Sequence, residues 1–137
     1  MTRRMWLGAV LAGLLVAGLS ACSMSEPTLY QRLGGSPGIA AVTDDFVDNV
    51  RADPAVSQRF AGTDPAQTKR RLTELFCQAS GGPCKYTGRG TVPLSDAEFN
   101  AMTADMTKTL DKFKLPPRER SEMLKLMASV RRDLAAA

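Results

Sequence analysis

The sequence predicts an all-α domain behind an export segment. Apolar residues recur at spacings of three and four in successive stretches, cap residues and breakers punctuate those stretches at helical lengths, and no stretch alternates as a strand would. The chain has 137 residues, a length suited to one compact domain.

The export segment comes first. Arg3 and Arg4 give a positive start, Met5 to Leu19 runs without charge, and Leu19-Ser20-Ala21-Cys22 closes the run with small residues and a cysteine. That order is the secretory signal pattern. The run is also short for a bilayer span, which takes roughly 20 apolar residues. Leu-Ser-Ala-Cys resembles the lipobox of bacterial lipoproteins, in which the cysteine thiol takes a diacylglycerol and becomes the first residue of the mature chain. The resemblance implies a signal peptide over 1–21, a lipid anchor at Cys22 in a tether over 22–28, and a domain over 29–137. It places that domain at the bacterial cell envelope, on the periplasmic or outer-membrane face, with the membrane as a partner through the anchor. Acyl chains contribute about 0.8 kcal/mol per buried methylene, and two or more hold a protein stably. Ser23 follows the cysteine where aspartate usually marks inner-membrane retention in enterobacteria, which leans toward the outer membrane. The alternative is a plain secretory signal that ends beside a cysteine.

Charge and cysteines fit export. Removing Arg3 and Arg4 takes Lys plus Arg from 18 to 16 against 14 acids, so the net charge falls from +4 to +2. That balance does not suit a nucleic-acid partner. With Cys22 committed to lipid, Cys77 and Cys84 remain as an even pair in an oxidising compartment. A structural disulfide is favoured over two free thiols, and the spacing is not the C-x-x-C of a thioredoxin-like motif.

Within the domain, Leu29, Tyr30 and Leu33 form a brief apolar turn that stops at Gly34-Gly35. Ser36 reads as an N-cap with Pro37 at the first helical position. Ile39, Val42, Phe46 and Val50 mark one apolar face, and Asp53-Pro54 ends that helix, because the residue before proline is pushed out of the α region. A loop centred on Phe60-Ala61-Gly62-Thr63 leads to Asp64-Pro65, which start a helix with Leu72, Leu75, Phe76 and Ala79 on its apolar face. Gly81-Gly82-Pro83 stops it. Residues 83–94 read as irregular. Ser95 and Glu98 then have capping-box spacing ahead of a stripe of Phe99, Met102, Met106, Leu110 and Phe113. Pro116-Pro117 separates this helix from a last one striped by Met123, Met127, Val130 and Leu134, and the short link predicts antiparallel packing. The four stripe methionines read as core filling, since methionine fits irregular helical interiors. A thioether metal site would need them clustered around a soft ion, so no metal is assigned.

These segments carry a family resemblance. Leu29-Tyr30-Gln31-Arg32-Leu33-Gly34-Gly35, Asp44-Asp45-Phe46, Phe60-Ala61-Gly62-Thr63-Asp64, Gly81-Gly82-Pro83 and Tyr86-Thr87-Gly88 resemble, in order, segments of the group 1 truncated haemoglobins. The resemblance covers about residues 29 to 134. It implies a two-over-two helical sandwich and haem as cofactor, with oxygen or another gas as ligand. Haem-pocket positions carried over are Phe46, Val47, Phe60, Thr68, Lys69, Leu72, Phe76 and Tyr86, with Phe46, Phe60 and Phe76 as walls and Lys69 or Arg70 near the propionates. Lys69-Arg70-Arg71 is otherwise a solvated helix face, the more common meaning of such a run.

The chain departs from the family where iron is held. The family's distal tyrosine falls on Val47, and the distal-helix positions that often carry polar residues fall on Thr68 and Leu72. The stretch that holds the proximal histidine is shortened to Arg89-Gly90-Thr91-Val92-Pro93, and the whole chain contains no histidine. Protein haem is held by histidine, thiolate, methionine or tyrosine. Tyr86 is nearest to the lost site, although the matching family tyrosine is not a ligand. An apolar cavity left empty costs about 24 cal/mol per Å3, so the pocket is expected to be partly collapsed or refilled by Met, Leu and Phe side chains. Two functions follow from this. One is haem and gas binding, as the resemblance implies. The other is a haem-free globin fold serving as a cell-envelope interaction or sensory domain, with a small apolar ligand or an envelope protein as partner. Enzyme function is not expected: there is no histidine base, no Gly-x-Ser-x-Gly and no paired metal-ligand motif.

Overall fold

The computed structural model describes residues 25–88 and 93–135. The signal segment, Cys22, the tether up to residue 24, the shortened stretch 89–92 and residues 136–137 lie outside the described residues. Among the described residues every regular element is helical: α1 (Leu29–Arg32), α2 (Gly35–Ala52), a 3-10 turn (Ser57–Phe60), α3 (Pro65–Ala79), α4 (Asp96–Lys112), α5 (Pro117–Ser129) and α6 (Arg131–Leu134).

Local chemistry sets most boundaries. Asp64 accepts from the backbone N–H groups of Ala66 and Gln67 and Pro65 opens α3, while Ser95 and Glu98 form the capping box of α4. The backbone and hydroxyl bonds from Ser95 hold the Glu98 carboxyl below its ordinary pKa. Asp53, extended at ψ 113°, ends α2 before Pro54.

The start of α2 corrects the sequence expectation. Its N-cap is Gly34, at φ 92°, not Ser36. A left-handed glycine lets the chain turn straight from α1 into α2. Pro37 still falls in the first turn, where its missing N–H has no intrahelical acceptor to lose. A second capping box, Thr28 with Gln31, starts α1. Two stripe residues also sit differently. Phe113 is the C-cap of α4 and 40% exposed, because helical periodicity stops at Lys112. Ala79, the last residue of α3, is exposed.

The helices form two antiparallel pairs. In the first, Phe46 of α2 meets Phe76 of α3 with ring centroids 5.9 Å apart, and Asp48 pairs with Lys69 at 2.9 Å. In the second, Asp111 of α4 pairs with Arg120 of α5 at one end. At the other end Asp96 pairs with Arg131 at 2.7 Å, and the Arg131 guanidinium lies 4.8 Å from the centroid of the Phe99 ring. Packing of α2 on α4 joins the pairs into the two-over-two sandwich. Met102, Met106, Met123 and Met127 are fully buried in the shared core, and each such side chain contributes on the order of 1.5–3 kcal/mol by leaving water. The final stripe stays inward through Val130 and Leu134 although the helix breaks at Val130.

Short contacts fasten the ends. Arg32 donates through Nε to Glu119 at 2.8 Å, through Nη2 to Glu122 and through Nη1 to the Pro27 carbonyl at 2.6 Å, which docks α1 on α5. Cys77 and Cys84 form the expected disulfide, with Cα atoms 5.7 Å apart. The enclosed turn packs under α1: the Tyr30 N–H donates to Ser80 O at 3.0 Å. A Cβ on Gly82 would lie 2.6 Å from the Tyr30 ring and 2.7 Å from Cys77 Sγ, so only glycine fits. Replacing Cys77 and Cys84 together by Ala should lower the unfolding free energy by about 2–3 kcal/mol. A urea midpoint by circular dichroism checks this; a midpoint equal to that of the wild type would show that the cross-link adds nothing to the native contacts.

Candidate functional site

The implied pocket positions divide into two groups. Phe46 and Val47 lie on the inner face of α2, Phe60 ends the 3-10 turn, and Thr68 and Leu72 lie on the inner face of α3. Together with Val50, Arg51 and Met102 they line one apolar crevice. Position 47 sits one residue from Phe46 yet remains only 2% exposed, because α2 is covered by α3 on one side and α4 on the other. Val50, Arg51 and Met102 were not predicted for the site. Val50 and Arg51 follow Val47 at helical spacing, and Met102 belongs to the α4 stripe, so the periodicity carried their signal.

The crevice is almost closed. Its free volume is about 10 Å3, room for at most one water molecule. Its mouth is tied by a polar chain. Thr63 donates to Phe60 O at 2.8 Å, Thr68 donates to the Thr63 hydroxyl at 3.3 Å, and Arg51 reaches Phe60 O at 3.3 Å. The Thr68 hydroxyl, the polar group that the resemblance places on the distal side, therefore spends its proton on Thr63.

The remaining positions lie elsewhere. Phe76 is fully buried, tilted at 53° to Phe46, and acts as a core ring. Lys69 points outward to Asp48 and, with Arg70, Ala40 and Asp44, borders a shallow groove between α2 and α3. Tyr86 is half-buried on the other side of α3. Its backbone N–H donates to Gln78 Oε1 and its hydroxyl donates to Asp133 O at 3.3 Å. Burial, helped by the Asp133 charge, pushes the Tyr86 phenol above its ordinary pKa and so opposes the tyrosinate form.

Tested against these residues, haem held by a protein ligand does not fit. The sequence offers no imidazole, both described cysteines are in the disulfide, the Tyr86 hydroxyl is bonded to a carbonyl, and the stripe thioethers are packed in the core. The space between α2, α3 and α4 is filled by Phe46, Leu72 and Met102 rather than held open.

A second polar feature was not anticipated. Asp45, Asn49 and Asp53 of the α2 segment face Thr109, Lys112 and Asp105 of α4. Thr109 donates to Asp45 at 2.9 Å, Asn49 donates to Thr109 at 3.0 Å, and Lys112 pairs with Asp45. Burial works to raise the Asp45 pKa, but the bonds from Lys112, Thr109 and Asn49 outweigh it and leave the carboxyl below its ordinary value.

Comparison with known proteins agrees with this fold. The family model for bacterial-like globins matches residues 28–136. A group 1 truncated hemoglobin of Chlamydomonas moewusii is 27% identical over 115 residues, covering 78% of this chain and 67% of that protein. One from Tetrahymena pyriformis is 26% identical over 118 residues, covering 81% and 98%. Against the group 1 truncated hemoglobin GlbN of Mycolicibacterium paratuberculosis, identity is 38% over 65 residues, and the chain spans about half of that relative, 48% of its length. Among solved structures, the truncated hemoglobin of Tetrahymena pyriformis in its Fe(III) form superposes with a TM-score of 0.71 at 25% identity, over 81% of this chain and all of that one. The 2/2 hemoglobin of Synechococcus, in the cyanomet state with covalently attached heme, gives 0.70.

A closed crevice makes a direct prediction. Val47→Tyr, which restores the tyrosine that the resemblance places there, should overpack the core and destabilise the protein by roughly 1–3 kcal/mol. Thermal unfolding checks it: a melting temperature at or above that of the wild type would mean that the crevice opens to accept the ring.

Proposed function

The chain belongs to the bacterial-like globin family, with group 1 truncated hemoglobins among its relatives, and on that premise we propose that it is a haem-free, lipid-anchored globin domain of the bacterial envelope. Its role in this reading is interaction or small-ligand sensing, not catalysis. The observation that carries it is the filled crevice: free space of about 10 Å3 among Phe46, Val47, Phe60, Leu72 and Met102, in a chain without histidine. Haem and oxygen binding, the role named by the family, needs both an iron ligand and a slot for a flat macrocycle. The described side chains supply neither, so the scaffold outlives the cofactor.

A second reading keeps haem through apolar contact alone. It is favoured by the convergence of Phe46, Val47, Phe60, Thr68 and Leu72, all carried over as pocket positions, on a single crevice. For this reading α2, α3 and α4 would have to separate and break the Arg51–Thr63–Thr68 closure.

The export segment supports the location. Arg3, Arg4, the uncharged run to Leu19 and the Leu-Ser-Ala-Cys sequence supply the signal, and Cys22 supplies the lipid attachment point. The structured domain begins with the Thr28 capping box, so a short link separates anchor from fold.

Two experiments test the proposal. The full chain, produced in a bacterial host supplied with haem precursor and purified in detergent, should be helical and colourless. A Soret band that survives desalting and shifts with carbon monoxide after reduction would establish the second reading instead. In the same host, labelled fatty acid should enter the wild type and partition it to membranes. Cys22→Ala should lose the label; labelling that persists in this variant would refute the anchor.

A further inference from the structure

At the α2–α4 seam one buried acid has no complete set of partners. The Asp105 side chain is fully buried. Its Oδ1 accepts from Lys108 Nζ at 2.8 Å, while its Oδ2 is buried without a hydrogen-bond donor. Beside it, across the seam, stands the carboxyl of Asp53, the C-cap of α2. Asp53 uses its own Oδ1 to accept from the Ala55 N–H at 2.9 Å. Two carboxylates offer only acceptors to each other, so the orphan state of Oδ2 is what this geometry gives when both are ionised. One added proton turns the contact into an O–H···O hydrogen bond and satisfies the buried oxygen.

We propose that Asp53 and Asp105 form a proton-sharing carboxyl pair, and that this pair makes the packing of α4 on α2 tighter in acid than in alkaline solution. The charged groups acting on Asp105 are Lys108, one turn along its own helix, and Asp53 across the seam. Asp45 and Lys112 stand at the far end of the same seam and neutralise each other. Lys108 is mostly exposed, so its charge is screened by solvent and offsets the burial of Asp105 only in part. Burial is the larger influence and raises the Asp105 pKa; Lys108 opposes it and the Asp53 charge adds to it. Two carboxyls in contact, one of them buried as Asp105 is, do not both ionise readily, and a proton between them is shared.

The sign follows from linkage. A carboxyl with a raised native pKa holds a proton that the unfolded chain releases, so the native state binds more protons between the two values. Its stabilisation is complete below the ordinary aspartate value of about 3.9 and is lost as pH rises through the native one. Asp45, Glu98 and Glu122, with lowered pKa values, contribute in the opposite direction. Comparing each variant with the wild type at one pH cancels their effect.

The test is thermal unfolding of the full chain in non-ionic detergent at pH 5 and pH 8. Asp105→Asn supplies at every pH the N–H that the protonated acid supplies only in acid. It should raise the melting temperature at pH 8 by roughly 4–8 °C, with a smaller difference at pH 5. Asp53→Asn keeps the oxygen that accepts from Ala55 and should shift the temperature in the same direction. Equal shifts at both pH values, or a loss at pH 8 in both variants, would overturn the pair. Should Asp105→Asn fail to fold, a carboxyl carbon-13 titration of the wild type decides. A midpoint for Asp105 above the ordinary carboxylate range supports the proposal, and one within or below that range overturns it. Stabilisation of the wild type at pH 8 by millimolar calcium or magnesium, lost in Asp53→Asn, would assign the orphan oxygen to a metal ion and also overturn it.

Discussion

Contact between α2 and its two neighbours governs this molecule. Phe46 meets Phe76 on the α3 side and, with Val47, borders the same crevice as Met102 of α4, leaving almost no free volume there. A globin that holds a macrocycle keeps its helices apart around a rigid disc. Here the Met102 thioether and the branched side chains of Val47, Val50 and Leu72 fill the gap, and dispersion between them holds the three helices together. The arrangement of the helices rests on α2 crossing between its partners.

The fold was legible in the sequence wherever local chemistry acts alone. Asp64-Pro65, Ser95 with Glu98, and Asp53 before Pro54 set helix ends through caps and a steric rule that tertiary structure did not override. The start of α2 was misread because Ser36-Pro37 is a good cap signal in isolation. What decided the matter was the turn between two helices, where Gly34 takes a conformation that sequence spacing does not encode. Phe113 was misread for a related reason: periodicity continues in the letters for one residue after the helix has ended.

The site was legible in part. Phe46, Val47, Phe60, Thr68 and Leu72, the positions taken from the resemblance, border one crevice because α2 and α3 turn their inner faces toward each other. Lys69 and Tyr86 do not join them. One has a partner on the outer surface and the other a carbonyl on α6, and neither contact is visible in a linear string. Asp105 was missed although its signal was present. An acid at position 105, between Met102 and Met106 in an otherwise apolar stripe, is the sort of local contradiction that marks a buried polar group.

The cross-linked turn after α3 also fixes where the domain begins. Gly81 lies under Thr28, the Tyr30 amide is bonded to Ser80, and Arg32 is clamped by Glu119 and Glu122. A pull applied to the chain ahead of Thr28 therefore does not simply unwind the first helix. The load passes into a covalently closed ring and a double ion pair in parallel, and from there into α3 and α5 along their lengths. The N-terminal end of this fold is thus tied to α3 and α5 by contacts that lie outside the crevice between α2, α3 and α4.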